Sequence, residues 1–390
     1  MENAATVYEL KNNNRKRILE QLRFGALSRV ELSKRVGLAK SSVTVLTNEM
    51  IKEGLIFEAG ISKKEAGAGR TSILLKINKD FGFAIGINLH RKQISVSAVD
   101  LLNNGIFSFN LDPSSYLTNK DAILDIKKNI LNQIKENGLY IENCVGIGVA
   151  SPGPLNYEKG IILEPPKFSL FNNFAIVKEL KKQFNLPVFL ENNSVSLALY
   201  EHYQNAKSGN TLFVIVSEGV GSALLINGEV YRGAHGLSGE IGHISIDKKG
   251  DKCPCGNKGC LELYASASAI KKRFKFNDLY SIIDRWEIGD KKALKVLDFL
   301  TECFGTALVT ATNLYDLDCI VLYGEYSYKG EILTAFIEDY IKENSITAKA
   351  HPVKVCNAVT KPADASKAAA LSALNNFYSF NTEFKKEIQL

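Results

Sequence analysis

The sequence predicts an α/β protein in which an N-terminal winged helix-turn-helix precedes a body of two α/β lobes. Three observations support this prediction. The first 80 residues contain three helical patterns followed by two strand patterns. The rest of the chain repeats one order: strand, hairpin, helix and buried strand. Finally, 390 residues exceed what one hydrophobic core usually organises, so we expect two or three domains.

The first 80 residues are basic, whereas the rest of the chain is neutral. They contain 15 Lys and Arg residues against 9 Asp and Glu residues, a net charge of +6. The remaining 310 residues contain 33 of each sign. A basic module beside a neutral body is typical of nucleic-acid binding. A solvated basic surface without a partner has the same balance, so charge alone leaves both interpretations open.

The first two helical patterns have recognisable ends. In the first, Ile18, Leu19, Leu22 and Phe24 recur on one side, and Gly25 ends the helix. The second starts with a capping box, in which Ser28 is followed three residues later by Glu31, and it ends at Gly37. A tight glycine turn then leads to the third helix, as in a helix-turn-helix.

The third helical pattern has one apolar side and one side of short polar groups. Its apolar side buries Val43, Leu46, Met50 and Ile51. Short hydrogen-bonding side chains on a helix fit the major groove of DNA, where they reach base edges and phosphates. The predicted DNA-binding residues of this helix are Lys40, Ser41, Ser42, Thr44, Thr47 and Asn48.

Residues 55–78 predict two strands joined by a glycine-rich, basic turn, which is a wing. Arg70, which follows Gly69, is predicted to enter a minor groove, where the narrow width concentrates negative potential. A three-helix protein-interaction module is the alternative. The charge and the wing together favour DNA binding.

The body contains two copies of the repeated order. In the first, residues 81–105 predict paired strands, a helix spans about 119–137, and the buried strand "CVGIGVA" leads into the loop "SPGPL". In the second, residues 211–233 predict paired strands, and a helix at 291–314 precedes the buried strand "DCIVLYG". Two such copies indicate two lobes with a cleft between them, and ligands are expected beyond the carboxyl ends of the strands.

One short stretch contains four strong metal ligands at close spacing. They are His243, Cys253, Cys255 and Cys260. Three thiolates and one imidazole complete a tetrahedral set that suits Zn²⁺, and a closed set leaves no position for an activated water. The sequence therefore predicts a structural zinc ion. Reduced cysteines without a metal are the alternative.

The segment "SGEIGH", followed by "CPCGNKGCLE", resembles the signature of the ROK family, which contains bacterial sugar-responsive repressors and sugar kinases. The segments "SPGPL", "ENN" and "EGVGSALLINGEVYRG" occur in the order of that family. The resemblance covers essentially the whole chain and is strongest to the xylose-repressor branch. It implies an actin-like, hexokinase-like pair of lobes. The predicted domains are 1–79 for DNA binding, 80–190 for lobe 1 with a C-terminal helix at about 362–378 packing back, and 191–361 for lobe 2.

The resemblance also implies a sugar site. In ROK proteins, the corresponding residues contact sugar hydroxyls, and the zinc ion next to them fixes two of the carboxylates. The implied sugar-binding residues are Gly153, Asn192, Asn193, Glu240, His243 and Glu262. Solvated surface carboxylates and a plain asparagine turn are the alternative.

Four departures from the family pattern argue against phosphotransfer. Asn193 replaces the aspartate that acts as general base in ROK kinases, and an amide does not accept a proton near neutral pH. The phosphate loop "DxGGTK" is here "NLHRKQ". The turn "GTGIG" reads "SEGVG", which introduces Glu218, and a late glycine-rich turn reads "YGEYS". We therefore predict no catalytic residues and no enzymatic activity.

The sequence thus predicts a sugar-responsive transcriptional repressor that binds double-stranded operator DNA as a homodimer or tetramer. Its effector is a monosaccharide such as xylose, glucose or a similar aldose. Release from DNA is the expected response to the sugar, and tighter DNA binding stays open.

Seven cysteines and the lack of an apolar run of about 20 residues predict a cytoplasmic protein without a membrane segment. One alternative is an ATP-dependent sugar kinase with an appended DNA-binding module. Another is a regulator governed by docking of a phosphotransfer-system protein.

Overall fold

The computed structural model describes residues 7–61, 71–165, 168–205, 209–276 and 280–380. Contacts divide the chain into two compact units. The first joins Met1–Asn193 with Ala365–Leu390, and the second is Ser194–Asp364. Among the helices in the described ranges, none combines the length and the apolar character that crossing a bilayer requires.

The N-terminal part of the first unit contains three helices and a three-stranded antiparallel sheet with strand order β1-β3-β2. The elements are α1 (Val7–Leu22), β1 (Leu27–Ser28), α2 (Arg29–Val36), α3 (Lys40–Lys52), β2 (Ile56–Ile61) and β3 (Ile73–Ile77). This is the order of a winged helix-turn-helix. The three helices and strands β2 and β3 were predicted, whereas β1 was not.

Local sequence signals define the ends of α2, whereas the prediction for α1 is wrong at one position. Ser28 and Glu31 form the capping box, and Gly37 adopts the left-handed conformation with φ 65°. In α1, Ile18 and Leu19 are fully buried, but Phe24 is 58% exposed. The helix ends before Phe24, so the periodicity that brings the other side chains into the core no longer applies to it.

The first unit continues into a five-stranded sheet with strand order β10-β7-β4-β5-β6. Strand β6 was not predicted, and β8 and β9 form a separate two-stranded hairpin. The elements are β4 (Phe83–His90), β5 (Gln93–Asp100), β6 (Gly105–Leu111), α4 (Asn119–Glu136), β7 (Cys144–Ser151), β8 (Leu155–Asn156), β9 (Ile161–Ile162), α5 (Ile176–Phe184) and β10 (Val188–Asn192).

The second unit contains a five-stranded sheet with strand order β13-β12-β11-β14-β15, whose core packs against several helices. Helix α6 begins at the last residue of the first unit. The elements are α6 (Asn193–Asn205), β11 (Thr211–Val216), β12 (Val220–Ile226), β13 (Glu229–Val230), α7 (Glu262–Ala265), α8 (Ala267–Phe274), α9 (Tyr280–Glu287), α10 (Lys291–Tyr315), β14 (Cys319–Gly324), α11 (Glu331–Asn344), α12 (Ile346–Ala350) and β15 (Lys354–Asn357).

The last helix, α13 (Ala365–Tyr378), returns the chain to the first unit and packs on β4 and β7. Two glycines on these strands allow a close approach. A Cβ atom added to Gly86 would lie 1.8 Å from the carbonyl oxygen of Ser366, and one added to Gly148 would lie 1.9 Å from that of Ala369. Small residues on both surfaces therefore allow the helix to lie directly on the sheet, while α4 and α5 cover the opposite face.

Candidate functional site

Helix α3 exposes most of the residues that were predicted to bind DNA. Lys40, Ser41, Ser42, Thr44 and Asn48 are all exposed. These side chains are short or flexible, and they carry hydrogen-bond donors and acceptors suited to base edges and phosphates. The helix begins after Ala39 without a side-chain cap. Its surface therefore has the polar character that the sequence predicts.

The prediction that Thr47 faces outward is wrong. Thr47 is fully buried, and its hydroxyl oxygen accepts a hydrogen bond from Nε of Arg29 at 3.1 Å. The same guanidinium donates from Nη2 to Oδ1 of Asn48 at 3.0 Å and forms an ion pair with Glu58 at 3.2 Å. Thr47 thus joins α2 to α3. It lies four residues after Val43 and three before Met50, so helical spacing places it on the buried side of the helix.

Two residues of this surface were missed by the sequence analysis. One is Arg29, whose three polar partners come from α3 and β2. The other is Val45, which is 58% exposed between Thr44 and Asn48. Val45 was not predicted because polarity was the sequence signal for outward positions on this helix. Its spacing from Ser41 and Asn48 nevertheless places it on the same face. The predicted DNA contact Arg70 lies outside the described residues.

The second unit brings together all four predicted metal ligands. One ligand atom from each of His243, Cys253, Cys255 and Cys260 lies within 4.8 Å of the others. Sγ of Cys253 is 3.7 Å from Nδ1 of His243, and Sγ of Cys255 is 3.7 Å from Sγ of Cys260. Such a cluster of one imidazole and three thiols can hold a metal ion.

The loop that carries these ligands is fixed by backbone hydrogen bonds. The N–H of Ile246 donates to the carbonyl of Gly259 at 2.8 Å, and the N–H of Leu261 donates to that of Ile244 at 2.9 Å. At Gly259, φ is +66°, and an added Cβ would lie 1.8 Å from the carbonyl oxygen of Asp247. Glycine is therefore required there to bring Cys260 close to the other ligands.

Burial makes the innermost sulfur difficult to ionise without a cation. Cys260 is fully buried, and loss of hydration, together with the neighbouring Cys253 and Cys255 sulfurs, raises the pKa of its thiol to about 12. A thiolate next to two further sulfurs is electrostatically unfavourable. A bound cation removes this penalty, because it stabilises the deprotonated ligands directly.

Three of the predicted sugar-binding residues lie in this part of the second unit. His243 belongs to the cluster itself, and Glu240 and Glu262 are close to it in the sequence. Oε2 of Glu262 accepts a hydrogen bond from the N–H of Val220 at 3.1 Å, and a Cβ at Gly219 would lie 2.5 Å from the same oxygen. Loss of hydration raises the pKa of Glu240, His243 lowers it, and Glu262 raises it. The two carboxylates and the imidazole are therefore within electrostatic reach of one another.

The other three predicted sugar-binding residues are neighbours in the first unit. In the parallel pairing of β10 with β7, Asn192 is opposite Ser151, which begins the "SPGPL" loop. A Cβ added to Gly153 would lie 3.2 Å from Nδ2 of Asn192. Nδ2 of Asn193 donates to the carbonyl of Leu89 at 3.2 Å, and within the described part of the chain its buried Oδ1 has no hydrogen-bond partner. These residues thus gather at the carboxyl ends of adjacent strands.

Local contacts close both turns that the family resemblance compares with the phosphate loops of kinases. Between β4 and β5, the turn is the two residues Arg91–Lys92, and the N–H of Lys92 donates to Nδ1 of His90 at 3.3 Å. Between β11 and β12, the N–H of Ser217 donates to the carbonyl of Gly219 at 2.9 Å. These N–H groups already have acceptors inside the protein, whereas phosphate loops direct such groups at the ligand.

Comparisons with known proteins agree with this architecture. The profile of the ROK family matches residues 85–375. The xylose repressor of Bacillus subtilis is 30% identical over 325 residues, which cover 80% of this chain and 82% of that protein. A ROK family transcriptional regulator described as a homologue of the Escherichia coli MLC protein superposes with a TM-score of 0.80 and 26% identity, over 98% of this chain and 100% of its own.

A solved kinase has the same fold as the body. The ROK hexokinase from Thermus thermophilus superposes with a TM-score of 0.65 and 23% identity, over 76% of this chain and 99% of its own. The hexokinase-like fold class is therefore confirmed. Since the family profile covers well over half of the sequence, the chain belongs to the ROK family.

Proposed function

We propose that this protein is a transcriptional repressor that binds operator DNA through α3 and responds to a monosaccharide bound by its body. The observation that carries this proposal is the extent of the structural matches. The regulator corresponds to 98% of the chain, whereas the hexokinase corresponds to 76%. The repressor name of the Bacillus subtilis relative supports the same function and makes xylose the first sugar to test.

The metal in this proposal is a structural Zn²⁺ ion held by His243, Cys253, Cys255 and Cys260. Zn–S bonds of about 2.3 Å and Zn–N bonds of about 2.0 Å place ligand atoms of a tetrahedral site about 3.6–3.8 Å apart. Two of the separations between ligand atoms, Cys253 to His243 and Cys255 to Cys260, are 3.7 Å and agree with that geometry. When bound, the ion cross-links the loop. With Nδ1 of His243 directed to the cluster, Nε2 carries the proton and can donate a hydrogen bond.

We propose that a sugar is recognised by carboxylate, amide and imidazole groups. Vicinal hydroxyls need fixed acceptors and donors, which carboxylates, amides and an imidazole N–H supply. Glu262 is fixed by Val220 and Asn193 by Leu89, so these two side chains are oriented before a ligand arrives. The full proposed set is Gly153, Asn192, Asn193, Glu240, His243 and Glu262.

The sugar proposal is tested by thermal unfolding with a panel of xylose, glucose and N-acetylglucosamine. A sugar at a hundred times its Kd stabilises the protein by about 2.7 kcal/mol. Glu262→Gln should abolish this shift, because the amide presents only one acceptor. Glu229→Gln, which alters an exposed glutamate in β13, is the matched control and should retain it. Lack of stabilisation by every sugar would instead favour a regulator controlled by a docking protein.

We further propose that the protein does not transfer phosphate. Asn193 donates to Leu89, so an amide, and not an ionised carboxylate, suits this position. A coupled ATP assay with the same sugars tests the rival kinase. Kinases typically turn over at about 1–100 s⁻¹, and activity in that range would establish the kinase function.

The proposed active species is a cytoplasmic homodimer or tetramer on palindromic DNA. Two recognition helices then reach half-sites about 34–36 Å apart on one face of the duplex. Duplexes selected from a random library by the full-length protein test this geometry. Inverted repeats with that spacing are expected, together with a dimeric or tetrameric mass in sedimentation, and selected single half-sites would contradict it.

A further inference from the structure

We propose that Val45 contacts the 5-methyl group of a thymine in the major groove and so contributes to operator recognition. This inference rests on the proposed function, since it names a base feature that the DNA-binding helix recognises. It concerns a residue that the sequence analysis did not assign to DNA.

The exposure of Val45 is unusual for its helix. The structure describes every residue of α3, and among them Val45 is the only large apolar side chain that is exposed, at 58%. Val43, Leu46 and Met50 are buried in the core of the module, and Ile51, which was predicted to be buried, is only half-buried. A single exposed valine is ordinary on a protein surface, so its position carries the argument.

Val45 lies on the face of α3 that a helix-turn-helix presents to DNA. Ser41, Thr44, Val45 and Asn48 are all exposed, and at 3.6 residues per turn they cover an arc of about 100°. Polar side chains on such a face bond to base edges and phosphates. The thymine 5-methyl group is the apolar feature of base pairs in the major groove, and it is therefore the complement of a valine.

The surroundings of Val45 favour DNA over a protein partner. Lys40 lies on the same helix, and Arg29 is bonded to Asn48. The first 80 residues have a net charge of +6. Arg29 also orients the Asn48 amide next to Val45, so polar and apolar contacts are arranged together before binding. A short apolar group on a polar helix face of a basic module matches a groove whose walls are phosphates.

The test uses the full-length protein and duplexes that it selects from a random library. Each thymine of the selected half-site is replaced in turn by uracil, which deletes only the methyl group. Binding is measured by fluorescence anisotropy at one fixed salt concentration. For the wild-type protein, replacement of the contacted thymine in one half-site should weaken binding about fourfold, as expected for loss of one methyl contact.

Variants at position 45 provide the decisive comparison. Val45→Ala, which loses the contact in both half-sites, should bind the thymine duplex about fifteenfold more weakly and should no longer distinguish thymine from uracil at that position. Val45→Thr, which keeps the shape but replaces a methyl with a hydroxyl, should lose part of the distinction. Val30→Ala removes the same atoms from an exposed valine in α2 and should still distinguish thymine from uracil as well as the wild-type protein does.

If Val45→Ala distinguishes thymine from uracil as well as the wild-type protein does, the inference is wrong while DNA binding stands. If the library yields no preferred duplex, the DNA-binding proposal fails and the inference fails with it. Circular dichroism of each variant checks that the fold is retained.

Discussion

The two large sheets of this protein have the same strand order but different attachments. In each, the first strand pairs antiparallel with the second and parallel with the fourth. The first sheet is covered by α13, which also contacts α1 of the winged helix-turn-helix. In the second unit, by contrast, the chain carries the His and Cys cluster between β13 and α7.

The difference indicates that the repeated sheet is a common scaffold. The candidate metal site and the candidate DNA-binding surface each depend on a segment that only one of the two units contains. Strand order follows from alternating hairpins and crossovers, and it is the same in both units. The ligand cluster and α3, the proposed DNA-binding helix, each occur in only one of the two units within the described residues. Function in folds of this kind is carried by such sites rather than by the scaffold.

Loss of a metal ligand should have the largest effect on stability. This effect should be confined to the second unit. Cys260→Ser is expected to release the metal and to remove much of the roughly 10 kcal/mol that structural zinc contributes in small domains. Amide hydrogen exchange should accelerate in β11 and β12 and stay unchanged in β4 and β5. Metal content is measured by elemental analysis.

Cys356→Ser, which alters a cysteine outside the cluster, is the matched control and should keep its metal. Full metal content in Cys260→Ser, with unchanged exchange, would contradict the assignment of the cluster.

A smaller effect is expected at Glu201, which is buried in the second unit. Its carboxylate accepts hydrogen bonds from the N–H of Val359 at 3.2 Å, from the N–H and hydroxyl of Thr360 at 2.9 and 2.6 Å, and from Asn205 at 2.6 Å. These bonds hold α6 to the segment that precedes α13. Glu201→Gln places an amide NH₂ among donors and should lower the free energy of unfolding by about 1–3 kcal/mol.

The measurement for Glu201 is urea unfolding of the full chain. Glu343→Gln changes an exposed glutamate of α11 in the same way and should leave stability unchanged. Equal stability of the two variants would show that the buried bonds contribute little.

The smallest effect is expected where α13 meets the winged helix-turn-helix in the first unit. Arg23 donates from Nη1 to Oδ1 of Asn375 at 3.0 Å, and its guanidinium lies 5.2 Å from the ring centre of Tyr378. Arg23→Lys keeps the charge but loses the planar stacking, so it should cost about 0.5–1 kcal/mol. Thermal unfolding compares it with Arg35→Lys, an exposed position in α2 that should show no change.

Some site residues could be predicted from sequence because their signals are local. The metal ligands lie within 18 positions, and the capping box of α2 spans four residues. The sugar residues were found only through family resemblance, and their role is still a proposal. No local signal gives the contact of Asn193 with Leu89, which lies 104 positions away.

The sequence by itself determined the capped ends of α2, the repeated succession of paired strands, helix and buried strand, and the spacing of the metal ligands, because these depend on neighbouring residues and on helical or strand periodicity. The tertiary structure decided which side chains of α3 face solvent. Arg29 covers Thr47, and no neighbouring element covers Val45 to the same extent. It also decided that α13 lies on Gly86 and Gly148, because burial is set by surfaces that meet only when distant segments pack.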